Sequence, residues 1–364
     1  VRRFTVCRTA SKPGPPRDFS SLPEPNRRHG LRMIRFLPIL FFPVMLLAQA
    51  APVFQGSIER LDPALDQLIA PEAKVEKLAE GFNWSEGPAW FEQSVVFSDV
   101  PENVIFRWKE GQTAATQFLK PSGLLTPQPG FREPGSNGLA VDAQGRLLLC
   151  QHGERRIARL EKDGTQTALA DRFEGKRFNS PNDLAIRRNG EIYFTDPPYG
   201  MEGGDRSPLK ELAWNGVYRL DSAGKVSLLI KDLTFPNGIG FSPDERTLYV
   251  AVSDGKAPRV MAYEVQADGS VGAGRVFIDA LPLGNKDRRG SCDGLKVDAA
   301  GNVFATGPGG VLIYSAAGKH LGTILTGQAT GNCAWGDDGS TLYICADAFL
   351  CRVKTRTRAA HWPK

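Results

Sequence analysis

Asn137-Gly138-Leu139-Ala140-Val141-Asp142-Ala143-Gln144-Gly145-Arg146-Leu147-Leu148-Leu149 is an oxygen-bearing residue, an apolar run, a polar turn and a second apolar run. The order returns in register at Asp293-Gly294-Leu295-Lys296-Val297-Asp298-Ala299-Ala300-Gly301-Asn302-Val303-Phe304-Ala305. Further copies open on Glu86-Gly87-Pro88-Ala89, Asn182-Asp183-Leu184-Ala185, Asn237-Gly238-Ile239-Gly240 and Asn332-Cys333-Ala334-Trp335. Short apolar runs broken by Gly, Asp, Asn and Pro are strand–turn–strand units, and helical spacing is not sustained through this stretch. From 86 to 137, 182, 237, 293 and 332, the openers stand 51, 45, 55, 56 and 39 residues apart. Periods of roughly 40–50 residues carrying four strands each are what β-propeller blades require. The expected fold is therefore all-β, a six-bladed β-propeller.

Closure of the ring is also readable. Only 33 residues run from Asn332 to Lys364, too few for a four-strand blade and a tail. The alternating stretch Ala73-Lys74-Val75-Glu76-Lys77-Leu78 is expected to supply the missing strand of the last blade. That pairing would hide the sheet edges an open ring leaves exposed.

The first 50 residues are of a different kind. Residues 1–32 are rich in Arg, Pro and Ser and show no periodicity. Met33-Ile34-Arg35 then leads into the apolar run Phe36–Leu47 and the small-residue site Ala48-Gln49-Ala50. A short positive start, an apolar run and an A-x-A site describe a secretory signal peptide, and the run is short for a membrane span. The expected organisation is an upstream extension over 1–32 translated ahead of a start at Met33, a signal peptide over 33–50, and one propeller over 51–364. Export after cleavage at Ala50 would place the protein in the periplasm or outside the cell. Residues 1–50 hold nine Lys/Arg and two Asp/Glu, so the net charge of +5 becomes −2 without them. No nucleic-acid or membrane partner follows from the basic balance of the whole chain. Beyond that segment stand Cys150, Cys292, Cys333, Cys345 and Cys351, whose spacing is not that of a zinc site. Export permits disulfides, and Cys345–Cys351 or Cys292–Cys333 are the pairs in reach; buried free thiols are the simpler expectation.

In a propeller the innermost strand of each blade begins at one mouth of the central channel, so the six opening residues line that mouth. Glu86 and Asp293 with the amides of Asn137, Asn182, Asn237 and Asn332 form a mixed oxygen set. Such a set suits calcium, with magnesium, manganese and zinc as alternatives; His and Cys, which zinc favours, are not clustered. Asn-Gly alone is a common turn dipeptide, but turns do not explain why Glu86, Asn182-Asp183 and Asp293 share the register. A second slot recurs after the second strand at Asp99, His152, Asp196, Asp254 and Asp347. Aspartate there is expected to cap a turn; His152 stands out as a group able to orient substrate or relay a proton.

At these residues the chain resembles the SMP-30/gluconolactonase/LRE-like family, in particular its bacterial gluconolactonase branch. The resemblance runs over roughly residues 77–354. It rests on Phe82-Asn83-Trp84-Ser85-Glu86-Gly87-Pro88-Ala89-Trp90, Asn179-Ser180-Pro181-Asn182-Asp183-Leu184, Phe235-Pro236-Asn237-Gly238-Ile239 and Cys292-Asp293-Gly294-Leu295. It implies six-bladed propellers with a divalent metal in the channel, with Glu86, Asn182, Asn237 and Asp293 as the ligands. It implies also that Asn137 and His152 lie close to metal and substrate, and that the activity is lactone hydrolysis.

The expected function is metal-dependent hydrolysis of a sugar lactone, the metal polarising the carbonyl for attack by water. Asp293 is the first candidate for the general base and His152 the second, while Asn137 faces the substrate. No Gly-x-Ser-x-Gly setting supports a serine-esterase route. The alternatives are a phosphotriesterase or broad esterase on the same site, or a non-catalytic periplasmic propeller that binds a sugar or a partner around a structural calcium. The rim loops Leu124–Glu133 and Met201–Leu212 choose the substrate, and their shape is not legible. Oligomeric state leaves no trace in the sequence.

Overall fold

The recurring Val-Asp-Ala-x-Gly phrase is a side-chain-capped turn. Asp142 Oδ1 accepts from the backbone N–H of Gln144 and Arg146, both at 2.9 Å. Asp298 Oδ1 does the same for Ala300 and Asn302, at 3.0 and 2.8 Å. Gly145 and Gly301 follow with φ of +72° and +85°, the left-handed conformation that a side chain resists. Each such turn reverses the chain between the first and second strands of a blade, so the strands pair as antiparallel neighbours.

The computed structural model describes residues 54–361. They form six four-stranded antiparallel sheets, one of them extended by a fifth strand. Blade 1 is Ser85–Phe91, Ser94–Asp99, Val104–Trp108 and Thr116–Leu119. Blade 2 is Ser136–Val141, Leu147–Gln151, Arg156–Leu160 and Gln166–Ala170. Blade 3 is Leu184–Ile186, Ile192–Asp196, Gly216–Leu220 and Val226–Ile230. Blade 4 is Pro236–Phe241, Thr247–Val252, Arg259–Val265 and Val271–Asp279. Blade 5 is Leu295–Val297, Val303–Gly307, Gly310–Tyr314 and His320–Leu325. Blade 6 takes Asn332–Gly336, Thr341–Ala346 and Phe349–Lys354 from the end of the domain and Glu76–Glu80 from its start.

The ring thus closes as expected, with Glu76 opposite Arg352 and Lys77 opposite Cys351. The closing strand is Glu76–Glu80, slightly later in the chain than the alternation over 73–78 suggests. An unforeseen strand, Ser57–Arg60, pairs outside blade 5 from Ser57↔Leu325 to Arg60↔Gly322. The short helix Leu65–Leu68 follows it and buries Leu65 and Leu68 against the wedge between blades 5 and 6. The signal-peptide and upstream-extension readings fall outside the described residues. Among the described residues, no helix is long and apolar enough to cross a membrane.

The apolar core is six wedges rather than one mass. Between blades 1 and 2, for example, Ala89, Phe91, Val96 and Ile105 meet Leu139, Leu147 and Leu149. The wedge between blades 6 and 1 places Tyr343, Cys345 and Leu350 against Phe82, Val95, Phe97 and Trp108. All five described cysteines are free and buried. Cys345 lies opposite Leu350, while Cys351 lies opposite Ile344. That one-residue offset turns the two thiols to opposite faces of the sheet, because side chains alternate along a strand.

Small residues follow the openers because the inner strands converge. A Cβ on Gly138 would lie 2.7 Å from Asn182 O, and one on Gly238 would lie 2.2 Å from Asp293 O. The same glycines donate to those carbonyls, at 2.7 Å for Gly138 and 3.1 Å for Gly238. Gly238→Ala is expected to destabilise the fold by about 1–3 kcal/mol through forced separation of blades 4 and 5. Gly255→Ala, where an added Cβ meets nothing within 4 Å, is expected to stay within about 0.5 kcal/mol of the parent. Denaturant unfolding of the two variants checks the difference, and equal midpoints would refute it.

Candidate metal centre

Each of the openers Glu86, Asn137, Asn182, Asn237 and Asp293 reaches the same cavity, of about 200 Å³, at one mouth of the channel. Glu86, Asn137, Asn182 and Asn237 are buried, and Asp293 is partly so. Asn332, also buried, is held in the ring wall instead of lining the cavity: its Nδ2 donates to Asp183 Oδ2 at 3.3 Å and its Oδ1 accepts from the Cys333 N–H at 2.9 Å.

The polar atoms of this mouth are oriented but incompletely satisfied. Asn137 Oδ1 and Asn182 Oδ1 are buried and accept no hydrogen bond. Asn237 donates through Nδ2 to Ser253 Oγ at 2.9 Å, which fixes the plane of its amide. Glu86 Oε2 accepts from the Gly87 N–H at 2.8 Å. Buried carbonyl-type oxygens without donors cost free energy unless something positive meets them. Two carboxylates with amide oxygens in flexible geometry are the donor chemistry of a hard divalent cation. Among the described residues there is no metal-holding cluster of three or more His, Cys, Asp or Glu; the donor set relies on amides.

Electrostatics point the same way. Burial drives the Glu86 carboxyl up to about 8, with the neighbouring Asp183 and Glu133 charges adding to the rise against the Gly87 and Asn332 hydrogen bonds. Asp293 is raised well above the usual carboxylate range by burial first, then by Glu86, Asp183 and Glu133. A cation seated among these groups would reverse the penalty, and its binding would release protons.

Several of the groups here were not singled out in the sequence. Asp183 is buried, accepts from the Leu184 N–H at 2.9 Å and occupies the slot held by glycine in four of the other openers. That departure from the pattern was the available signal. Trp84, Tyr199 and Ser253 also line the cavity. Ser253 immediately precedes Asp254, and the pairs Ser98-Asp99 and Thr195-Asp196 show the same hydroxyl-before-aspartate pattern. Arg132 and Glu133 come from the loop whose shape was not legible.

In the second slot, Asp254 caps its own turn as expected, whereas Asp99 and Asp196 accept from backbone of the segment that leads into their blade. Asp99 accepts from the Asn83 and Trp84 N–H groups at 3.0 and 3.1 Å, Asp196 from Asn179 at 2.8 Å and Asp254 from Lys256 at 2.9 Å. His152 is fully buried and does not line the cavity. It packs against Gly200, where an added Cβ would lie 2.6 Å from its own Cβ. Burial pushes its imidazole down to about 3, outweighing a contact with the Glu133 backbone, so the ring is neutral near pH 7.

Residues 84–347 match the model of the SMP-30/gluconolactonase/LRE-like region, and the chain belongs to that family. The gluconolactonase of Zymomonas mobilis is 39% identical over 311 residues, spanning 83% of this chain and 87% of that one. A solved gluconolactonase from Xanthomonas campestris superposes with a TM-score of 0.70 at 33% identity, covering 85% of this chain and 99% of its own. A solved putative gluconolactonase gives a TM-score of 0.74 at 32% identity, covering 84% and 100%.

Glu86 and Asp293 bind protons more tightly in the folded chain than in the unfolded one. Without a cation, stability should therefore fall as pH rises above 4.5 towards about 8. His152 acts with the opposite sign, but only below its ordinary value of 6.5, and Asp196, raised by burial, adds to the fall up to about 7. Between pH 7 and 8 Glu86 still contributes to the fall. Thermal melts of chelated protein should drop over that interval, and Glu86→Gln should flatten the drop. A flat profile in the parent would contradict the site electrostatics.

Proposed function

We propose that this protein is a divalent-metal-dependent lactonase that hydrolyses sugar lactones of the gluconolactone type. The observation that carries the reading is the convergence of Glu86, Asn182, Asn237 and Asp293, with Asn137 beside them, on one small polar cavity. Similarity to gluconolactonases over more than four fifths of the chain supports the reaction class. The cavity is smaller than the roughly 300–1,000 Å³ of pockets that take drug-sized ligands. Its lining is carboxylate, amide, hydroxyl and guanidinium, with Trp84 and Tyr199 as the aromatic faces. A polyhydroxylated single ring suits such a lining better than a long acyl chain or an aryl phosphotriester.

Glu86, Asn182, Asn237 and Asp293 would hold the cation, calcium by the chemistry of the donors. When bound, it supplies Lewis-acid polarisation of the ester carbonyl and stabilises the oxyanion that develops there. Asn137 keeps its Oδ1 free of protein partners and would receive a substrate hydroxyl. Asp293 serves as a ligand, and a carboxylate shared with a divalent cation is a weak base. The Met33–Ala50 segment supports placing this activity in the periplasm or outside the cell.

The test is turnover of a panel of lactones after chelation and after return of calcium, magnesium, manganese or zinc. Glucono-1,5-lactone should be hydrolysed only with metal restored; no turnover with any of the four would overturn the proposal. Asp293→Asn should lower kcat/KM by at least the roughly 10–100-fold associated with loss of an outer-shell partner. Unchanged activity in that variant would remove Asp293 from the site.

A further inference from the structure

Two rim loops outside the blade repeat meet over the mouth of the channel. The N–H groups of Arg132 and Glu133 donate to Gly200 O at 3.0 and 3.3 Å, and the N–H of Glu202 donates to Gly130 O at 2.9 Å. Phe131 and Met201 form a β-bridge between them, and Arg132 Nε donates to Tyr199 O at 3.2 Å. These backbone bonds tie residue 133 to the second loop. Glu133 thereby lines the cavity from a loop, whereas the openers line it from the blades.

Three carboxylates line this cavity: Glu86, Asp293 and Glu133. Glu86 and Asp293 stand on or beside inner strands in the register shared with Asn182 and Asn237. Glu133 lies outside that register. Its Oε1 sits 2.9 Å from Arg132 Nη2, and its side chain is 21% exposed against 56% for the arginine. Arg132, the more exposed of the two, pairs with Oε1, and Glu133 itself lines the cavity. His152 is packed behind Gly200, away from the lining.

We propose that Glu133, oriented by Arg132, is the proton-transfer group of the lactone hydrolysis, an inference that rests on the lactonase reading above. Its carboxylate takes a proton from water as the water oxygen bonds to the carbonyl carbon. The ring C–O bond then breaks, and the same carboxyl returns the proton to the departing ring oxygen as a hydroxyl. One water is consumed, the product is the open hydroxy acid, and that acid gives its own proton to solvent. General acid–base assistance of this kind is worth roughly 10²–10⁴-fold in rate.

The experiment compares the full chain with Glu133→Gln, Glu133→Ala and Arg132→Met. It reads calcium affinity by calorimetry without substrate and steady-state kinetics on glucono-1,5-lactone. Glu133→Gln should lose about 10²–10⁴-fold in kcat, while KM and calcium affinity stay within about threefold. Formate, a small carboxylate, should restore part of the lost rate in Glu133→Ala, which a structural role for Glu133 would not allow. Arg132→Met should lower kcat by less than Glu133→Gln does and leave calcium affinity unchanged. A Glu133→Gln kcat within threefold of the parent overturns the proposal. A fall in calcium affinity parallel to the fall in rate also overturns it and makes Glu133 a ligand. If the parent hydrolyses no lactone, this assignment falls together with the lactonase reading; if the parent is active and Glu133→Gln equals it, this assignment alone falls.

Discussion

The close approach of the six inner strands at the channel mouth is the constraint on which the other features depend. Where those strands converge, there is no room for a Cβ after most of the opening residues. Gly87, Gly138, Gly238 and Gly294 each lie against the backbone or amide of the next blade's opener. Hydroxyls from the second strands complete the contact. Ser98 donates to Asn137 O at 2.8 Å, Thr195 to Asn237 O at 2.7 Å and Thr306 to Gly331 O at 3.0 Å. Each bond links one blade to the next, so the position of each opening side chain is set by its neighbour as well as by its own sheet. A ring built this way holds its opening oxygen donors in fixed positions on rigid elements.

That rigidity has an electrostatic consequence. Glu86, Asp293 and Asp183 are brought together in a poorly solvated mouth with Glu133 above them. Burial opposes the ionisation of Glu86 and Asp293, and repulsion from the neighbouring Asp183 and Glu133 adds to it. Sequence alternation and turn chemistry create no such problem; it comes from gathering acidic residues from far apart in the chain. A strained arrangement of this kind persists where the surrounding fold over-determines it, and it marks functional sites more often than structural ones. The apolar wedges between blades provide the surrounding stability, because they lie outward of the channel and do not share its polar lining.

Much of the architecture was legible because it repeats. The turn aspartates Asp142 and Asp298 and the glycines after them specify local reversals without reference to the rest of the chain. The alternation over 73–78 announced a closing strand from the N-terminal side, although the register with Phe349–Lys354 fixed that strand as Glu76–Glu80. The added strand Ser57–Arg60 was not legible. It pairs on the outer edge of blade 5, so its contacts have no counterpart in the other copies from which to infer them. Cys345 and Cys351 are near in sequence, yet only the pairing of their strands shows that they face apart.

The candidate site divides along the same line. Sequence alone determined the six blades and the oxygen-bearing residues that open them, since each follows from residue type and register within one repeat. Tertiary structure decided which openers reach the cavity, holding Asn332 in the wall through Asp183 and Cys333. It placed His152 behind the lining and brought Arg132 and Glu133 over the mouth through their bonds to Gly200. The physical reason is that a repeat encodes local geometry through short-range bonds, whereas a roof made by two loops about seventy residues apart is encoded only in their meeting.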